Sequence, residues 1–469
     1  MDASTVSPAP PTRNVDPYRL LYSLMIPAII MPLAGWMFSV SLPTIRDDLQ
    51  INAELAAWVA TAFSLPFMIL MPVYGRISDS LGKRRLLLFG IVIFTAGSII
   101  AMVSSTLSVL LIGRVVQGLG IAGLLPISLA LITEVFPSEE RGKAMGRFST
   151  IGPLTGIAGP LLAGFIVARW GWRLSFLPSA LVAVASFGVI YFLIPSTSQP
   201  IRRDFFKAFD WGGVGLLGLT FTFLLFYFSS RPITGVPPLQ DFRLLGLTVL
   251  FGTAFVFYEQ WQKAPFINLR IFQNHSLVIA SSCAALRMMV LSGGGGFLMP
   301  LYLADVVELD PTLSGFFLMV VPASMTLFVQ LAGQFSDRFG SRYIVMAGFF
   351  TVGAVMLAFS RLTDETSRWI IIVLFAFFGM GAGFMLATLH RAALNHIPDE
   401  DLGTSSGVYS MIRFLGSASG QAFAGILIQF YLLRLNDALV PTYQSVFVWF
   451  AGFSLLGLIT AVFLPATRE

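Results

Sequence analysis

One decapeptide occurs twice in this chain. GRISDSLGKR from Gly75 and GQFSDRFGSR from Gly333 share Gly, Ser, Asp, Gly and Arg in the same columns, 258 residues apart. Each copy lies in a short gap between two long apolar runs, so the duplicated unit belongs to the membrane and the chain consists of two related halves. Gly118 and Gly120 match Gly379 and Gly381, and Gly159, Ala163 and Gly164 match Gly420, Ala424 and Gly425, all at an offset of 261. These offsets equate the first six apolar runs with the last six. Such doubling is the architecture of a carrier.

Hydrophobic residues make up 56% of the 469 and charged residues only 11%, which excludes a soluble domain. Fourteen runs are long enough to span, near 20–42, 55–73, 86–104, 108–132, 144–167, 174–194, 211–229, 243–261, 277–301, 312–334, 343–361, 369–391, 404–431 and 445–465. The expected fold is an all-α integral membrane protein of 14 transmembrane helices, with two pseudo-symmetric six-helix bundles and two inserted central helices. Its parts are a disordered cytoplasmic tail (1–17), an N-terminal bundle (18–195), a linker (196–210), the inserted pair (211–262), a second linker (263–275) and a C-terminal bundle (276–469). With both termini inside, loops and span ends carry 18 Lys or Arg on the cytoplasmic side against 8 outside, and 3 lie within spans. The net charge of +5 therefore belongs to topology and gives no sign of a nucleic-acid partner. Seven of the eight tryptophans fall at span ends; only Trp36 is at mid-depth. Cys283 is the single cysteine, which excludes an intrachain disulfide. No nucleotide-binding, metal-ligand or nucleophile motif appears, so neither a cofactor nor enzymatic chemistry is expected.

Motifs at particular spans point to a family. GRISDSLGKRR lies between runs two and three, RVVQGLGIAG from Arg114 in run four, and GIAGPLLAG from Gly156 in run five. With FDWGG at 209–213 and MIRFLGSASG at 411–420, the chain resembles the major facilitator superfamily, in particular its fourteen-helix drug:proton antiporter branch, over about residues 18–468. The resemblance implies a conformational switch at Gly75, Asp79, Gly82 and Arg84, with Gly333, Asp337, Gly340 and Arg342 as its second copy. Asp79 is expected to cap a short helix and to pair with a cytosolic arginine, Arg141 being a candidate. Gly156, Gly159, Pro160 and Gly164 answer to the antiporter motif, with either coupling or plain close helix packing as their role. The branch usually has an acid in its first helix nine positions before a proline; here that position is Ala34, before Pro43.

Charge at depth carries the substrate argument. An arginine facing hydrocarbon costs about 2.5 to 3.5 kcal/mol even on the lenient insertion scale. Arg287 and Arg413 lie about 14 to 15 Å from their cytosolic span ends and Arg114 about 9 Å below its outer end. Each is expected to face a central cavity or a buried partner, with Gln117 beside Arg114 and with Trp36 and Phe38 lining an apolar wall. No Asp or Glu falls at mid-depth; Glu134, Glu259 and Asp305 are near span ends, and His275, His390 and His396 are read as loop residues. Gly293, Gly294, Gly295 and Gly296, just before Pro300, are expected to bend the ninth helix as a gate hinge, or to pack against a neighbour.

The expected function is secondary active transport by alternating access, as an exporter of a small amphipathic compound, with proton-coupled multidrug efflux by antiport as its candidate form. The partners are a lipid bilayer and a small molecule, in a bacterial inner membrane, with the chain acting as a monomer. The alternatives are an exporter of an anionic or lipid-like metabolite that lacks the first-helix carboxylate, and a carrier-fold sensor.

Overall fold

The structure is a computed structural model that describes residues 16–194, 209–263, 265–394, 397 and 402–465. Fourteen helices within them are long and apolar enough to cross a membrane. Spans 1 to 6 are Pro17–Asp48, Ala53–Ser78, Lys83–Met102, Leu107–Val135, Lys143–Trp170 and Trp172–Leu193. Spans 7 and 8 are Trp211–Phe228 and Phe242–Trp261. Spans 9 to 14 are His275–Asp305, Pro311–Ser336, Ser341–Phe359, Arg368–Leu394, Ser405–Arg434 and Leu439–Ala461. All fourteen expected runs are present, several longer than expected because polar turns continue the helix beyond the apolar stretch. His390 accordingly lies inside span 12 rather than in a loop, and His275 opens span 9. His396 is outside the described residues.

Side chains fix where the helices begin. Asn52, Thr106, Asp210, Asn274 and Asp310 each accept a backbone amide of the first turn, one of the donors that a helix start leaves unpaired. Two glycines end them. Gly82 and Gly340 both have φ +88°, a conformation that L side chains rarely adopt, and their amides donate to the carbonyls of Ser78 and Ser336 at 3.0 and 2.8 Å. They occupy one column of the repeated decapeptide, so that column is held by backbone geometry. Asp79 and Asp337 lie within the last turns of helices Ala53–Leu81 and Val320–Phe339; the expectation that Asp79 caps a separate short helix does not hold, because the preceding helix runs past it. The side chains of both aspartates are outside the described residues.

The duplication reappears in the packing. A Cβ on Gly118 would strike the Phe63 carbonyl in span 2, and one on Gly379 the Val321 carbonyl in span 10, again 258 residues on. Gly120 abuts the Gly90 carbonyl, and Gly381 that of Gly348, at the same interval. Gly159 faces Trp36 of span 1 and Gly420 faces the Met289 backbone of span 9; Gly164 meets Pro311 of span 10 and Gly425 meets Ala53 of span 2. Matched glycines thus touch matched helices, because only a missing side chain lets backbones approach this closely. The last two pairs join one half of the chain to the other.

Spans 7 and 8 pack on each other, and span 7 lies against spans 2 and 13. At one end Trp58 Nε1 donates to Ser229 Oγ (2.9 Å), which donates to Glu54 (3.1 Å). Phe226 packs on Trp58 and Phe228 on Phe423. The inserted pair is therefore seated across a seam between the halves.

Candidate functional site

The two ends of the bundle differ, and they can be named by what they hold: the motif face, with the repeated loops after spans 2 and 10, and the clasp face opposite. At the clasp face Arg46, in the last turn of span 1, forms a bidentate pair with Asp305, the last residue of span 9, at 2.6 and 2.7 Å. The Tyr443 hydroxyl of span 14 donates to the same carboxylate at 2.5 Å. A fork-to-fork pair of this kind is directional as well as strong. Deeper, the Ser39 hydroxyl donates to the Gly296 carbonyl, and spans 5 and 10 interlock, Gly164 on Pro311 and Gly315 on the Pro160 carbonyl. Gly156 still touches Pro322, whereas Gly152, one turn nearer the motif face, has nothing within 4 Å of its Cβ position. The halves are drawn together at the clasp face.

The glycine run is not a break. Span 9 stays helical but widens to π winding over Met289–Leu298, the kind of local irregularity that recurs at functional positions. Gly293 abuts the Gly420 backbone and Gly295 the Phe378 ring, so close packing accounts for two of the four, and Gly296 supplies the carbonyl that Ser39 binds. Through the run the helix is continuous and widened, and two of the glycines pack as the second expectation had it.

Of the three arginines at depth, two are held. Arg114 is 2% exposed, its guanidinium lying between the rings of Phe38 and Phe63 at 4.7 and 4.4 Å. Its Nε donates to the Val59 carbonyl (3.2 Å) and Nη1 to Gln117 Oε1 (2.9 Å), while Gln117 Nε2 donates to Ser98 (2.8 Å). Spans 1, 2, 3 and 4 are tied by this network, which lies inside the first bundle with no open side. Trp36 is half-buried against Gly156 and Gly159. Arg287 is buried, Nε and Nη2 sharing the Ala382 carbonyl at 3.3 and 3.2 Å.

Arg413 is the exception. It is only half-buried, its Nε is enclosed without an acceptor, and among the described residues its close partner is the Phe414 ring at 4.7 Å. Around it stand Arg287, Tyr409 and His390, close enough to interact with it electrostatically. The His390 ring meets Tyr409 edge-on at 5.4 Å and is itself exposed. This cluster is a positive site with an unsatisfied donor at its centre.

At the motif face the basic loop residues are engaged. Lys83 pairs with Glu134, which joins the start of span 3 to the end of span 4. Arg84 donates to the Tyr191 carbonyl and sits 5.0 Å over its ring. Arg141 Nε donates to the Phe136 carbonyl at 3.1 Å. Gly75 approaches only Pro126, Gly333 faces open space, and the Arg342 Nε is buried without an acceptor.

A model described as Major Facilitator Superfamily matches residues 24–421 and 296–469. The chain belongs to the major facilitator superfamily. It is accordingly a multi-pass membrane protein and a secondary transporter. Curated relatives include the riboflavin transporter RibZ of Clostridioides difficile, 28% identical over 86% of each chain. Multidrug resistance protein 3 of Bacillus subtilis is 27% identical over 81% of this chain and 74% of its own. Among solved structures, a D-xylose-proton symporter superposes with a TM-score of 0.67 at 12% identity, covering 96% of this chain and 99% of that one. A peptide transporter does so at 0.67 and 14% identity, covering 93% of each. At these identities the solved structures speak for the fold alone.

Two features of this superfamily member escaped the sequence reading. Arg46 and Asp305 are 259 residues apart, so they stand at nearly repeat-equivalent ends of spans 1 and 9 with opposite charge. That relation was a usable signal. Asp210, within FDWGG, and Glu259, an acid near a span end, gave no sign in the sequence that they meet.

Proposed function

We propose that this transporter is an exporter of a small amphipathic compound that is anionic or neutral, with the cargo received at Arg413. The observation that carries the reading is the half-buried guanidinium of Arg413, with no acceptor for its Nε, beside Arg287, Tyr409 and His390, in spans that have no acid at mid-depth. Such a site attracts a carboxylate, phosphate or polarised carbonyl and repels a cation. The multidrug and riboflavin relatives support a compact organic cargo. Orientation follows the positive-inside count: the motif face and both termini are cytoplasmic, in a bacterial inner membrane. The conformation described is then closed to the outside. Rocking of one half on the other would open Arg46–Asp305 and part the glycine seams, with π-wound span 9 as the hinge, and the repeated loops, Asp79 and Asp337 included, would latch the opposite face. The 6 + 2 + 6 division and the monomeric state belong to the same proposal.

The test is flux in proteoliposomes under an imposed pH gradient, with amphipathic anions and cationic dyes compared while lumenal pH is followed. Anion flux exceeding dye flux is expected. Dye efflux with proton entry and no anion flux supports the alternative, a cation-expelling antiporter.

A further inference from the structure

The inserted helices meet span 2 at the motif face through a pair of acids. Asp210, the cap of span 7, accepts the amide of Gly213 (2.8 Å) and that of Phe266 in the linker beyond span 8 (3.1 Å). Glu259, in the last turn of span 8, reaches the same spot. It is 3% exposed, and both of its oxygens are buried with no hydrogen-bond donor in place, although the amides of Phe266 and Ile267 lie beside them. Gly213 makes the meeting possible: a Cβ there would strike Glu259 Oε1 and Asp210 Oδ2 alike, so the two oxygens lie within about 5 Å of each other.

Among the described residues one cation faces both. Arg76, second residue of the first repeated decapeptide, donates to the Pro265 carbonyl at 3.0 Å, lies 5.7 Å over the Phe266 ring and interacts with both carboxyl groups. Tyr258, next to Glu259 on span 8 and close to Asp210, is the remaining titratable group among the described residues there; Lys263 is exposed. The two acids are not equivalent. Two amides and a helix N-terminus solvate Asp210 as an anion, and Arg76 balances its charge. An ionised Glu259 would be a second negative charge, buried, whose nearest donors, the amides of Phe266 and Ile267, lie outside hydrogen-bond geometry, that of Phe266 being given to Asp210.

We propose that Glu259 is a proton-binding site, occupied while the inserted pair is docked, and that its proton ties the docking of spans 7 and 8 to the helix end that carries the first repeated decapeptide. The mechanical link is Arg76, which lies in the last turns of that helix and grips the linker at Pro265. Loss of the proton sets two carboxylates against the Arg76 guanidinium, loosening the linker and the helix end together. With Ala34 and no acid at mid-depth in the first helix of this chain, the proton would be bound at the membrane edge, on the inserted pair. The site does not depend on which cargo Arg413 receives.

Infrared difference spectroscopy of the lipid-reconstituted protein tests this directly. A buried carboxylic acid band is expected at neutral pH, absent in the isosteric Glu259→Gln variant and retained in Asp210→Asn. Identical wild-type and Glu259→Gln spectra overturn the proposal, as does a band lost only in Asp210→Asn. Wild type alone supplies the second reading. Over the pH interval in which the band vanishes, hydrogen exchange of residues 75–82 and 265–271 should quicken beyond its intrinsic rise with pH, and unchanged protection overturns the link.

Discussion

Arg114 and Arg413 are arginines at depth, one in each half, yet only one has charge to spare. Arg114 is clamped by two aromatic rings, a carbonyl and an amide side chain, whereas the Arg413 Nε has no acceptor. Neither has a counterpart in the other half: the offset of 261 maps Arg114 onto Phe375 and Arg413 onto Gly152. The glycines that set helix spacing are duplicated contact for contact. The scaffold is therefore symmetric and its charge is not, which is how one doubled fold can present a one-sided site. A cation whose donors are satisfied locally braces a bundle, and a cation left short of acceptors is available to cargo.

The largest effect should come from breaking the brace. Arg114→Ala removes the donors to Gln117 Oε1 and to the Val59 carbonyl and opens a void between Phe38 and Phe63, at a cost of about 3 to 5 kcal/mol. Thermal unfolding in detergent, followed by tryptophan fluorescence, should show a large fall in Tm. Arg413→Ala should leave Tm nearly unchanged and reduce anion flux about tenfold or more, the equivalent of about 1.4 kcal/mol of cargo binding. Equal stability losses in the two variants would erase the distinction.

The symmetric part of the comparison is sharpened by Gly164→Ala and Gly425→Ala. Each adds a methyl where backbone of the other half already stands, Pro311 or Ala53, and each should cost about 1 to 3 kcal/mol in the clasp-closed state. Labelling of a cysteine placed at Ser39 from the clasp-face side should rise similarly in both. A rise in one alone would mean that the matched seams do not move as a pair. The smallest effect is expected from Asp305→Asn. This loses the bidentate charge pair but leaves Arg46 paired with Asp47 and keeps an amide that Arg46 and Tyr443 can still hydrogen-bond, so the same labelling should rise only two- to threefold, about 0.5 kcal/mol.

How far these features could be read from sequence depends on what each one needs. Span positions need only hydropathy, and the glycine columns need only the repeat; both were legible. The roles of the arginines were not, since burial cost says that Arg114 and Arg413 avoid lipid but not whether a Phe ring or an empty space receives them. Phe38 was marked as cavity wall and is one of the two rings on Arg114, whereas Phe63 carried no sequence signal. The four glycines could be read as a weak helix, but π winding depends on neighbours such as Phe378 and Gly420, which are far off in the chain. Asp210 and Glu259 were separated by an entire helical hairpin.

The central claim is that Arg413 receives the cargo. Uptake of a labelled amphipathic anion into proteoliposomes, compared for wild type, Arg413→Lys and Arg413→Gln at matched protein content, tests it most directly. Substantial flux is expected with lysine, whose charge is kept, and about a tenfold or greater loss with glutamine. Wild-type flux in Arg413→Gln would contradict it.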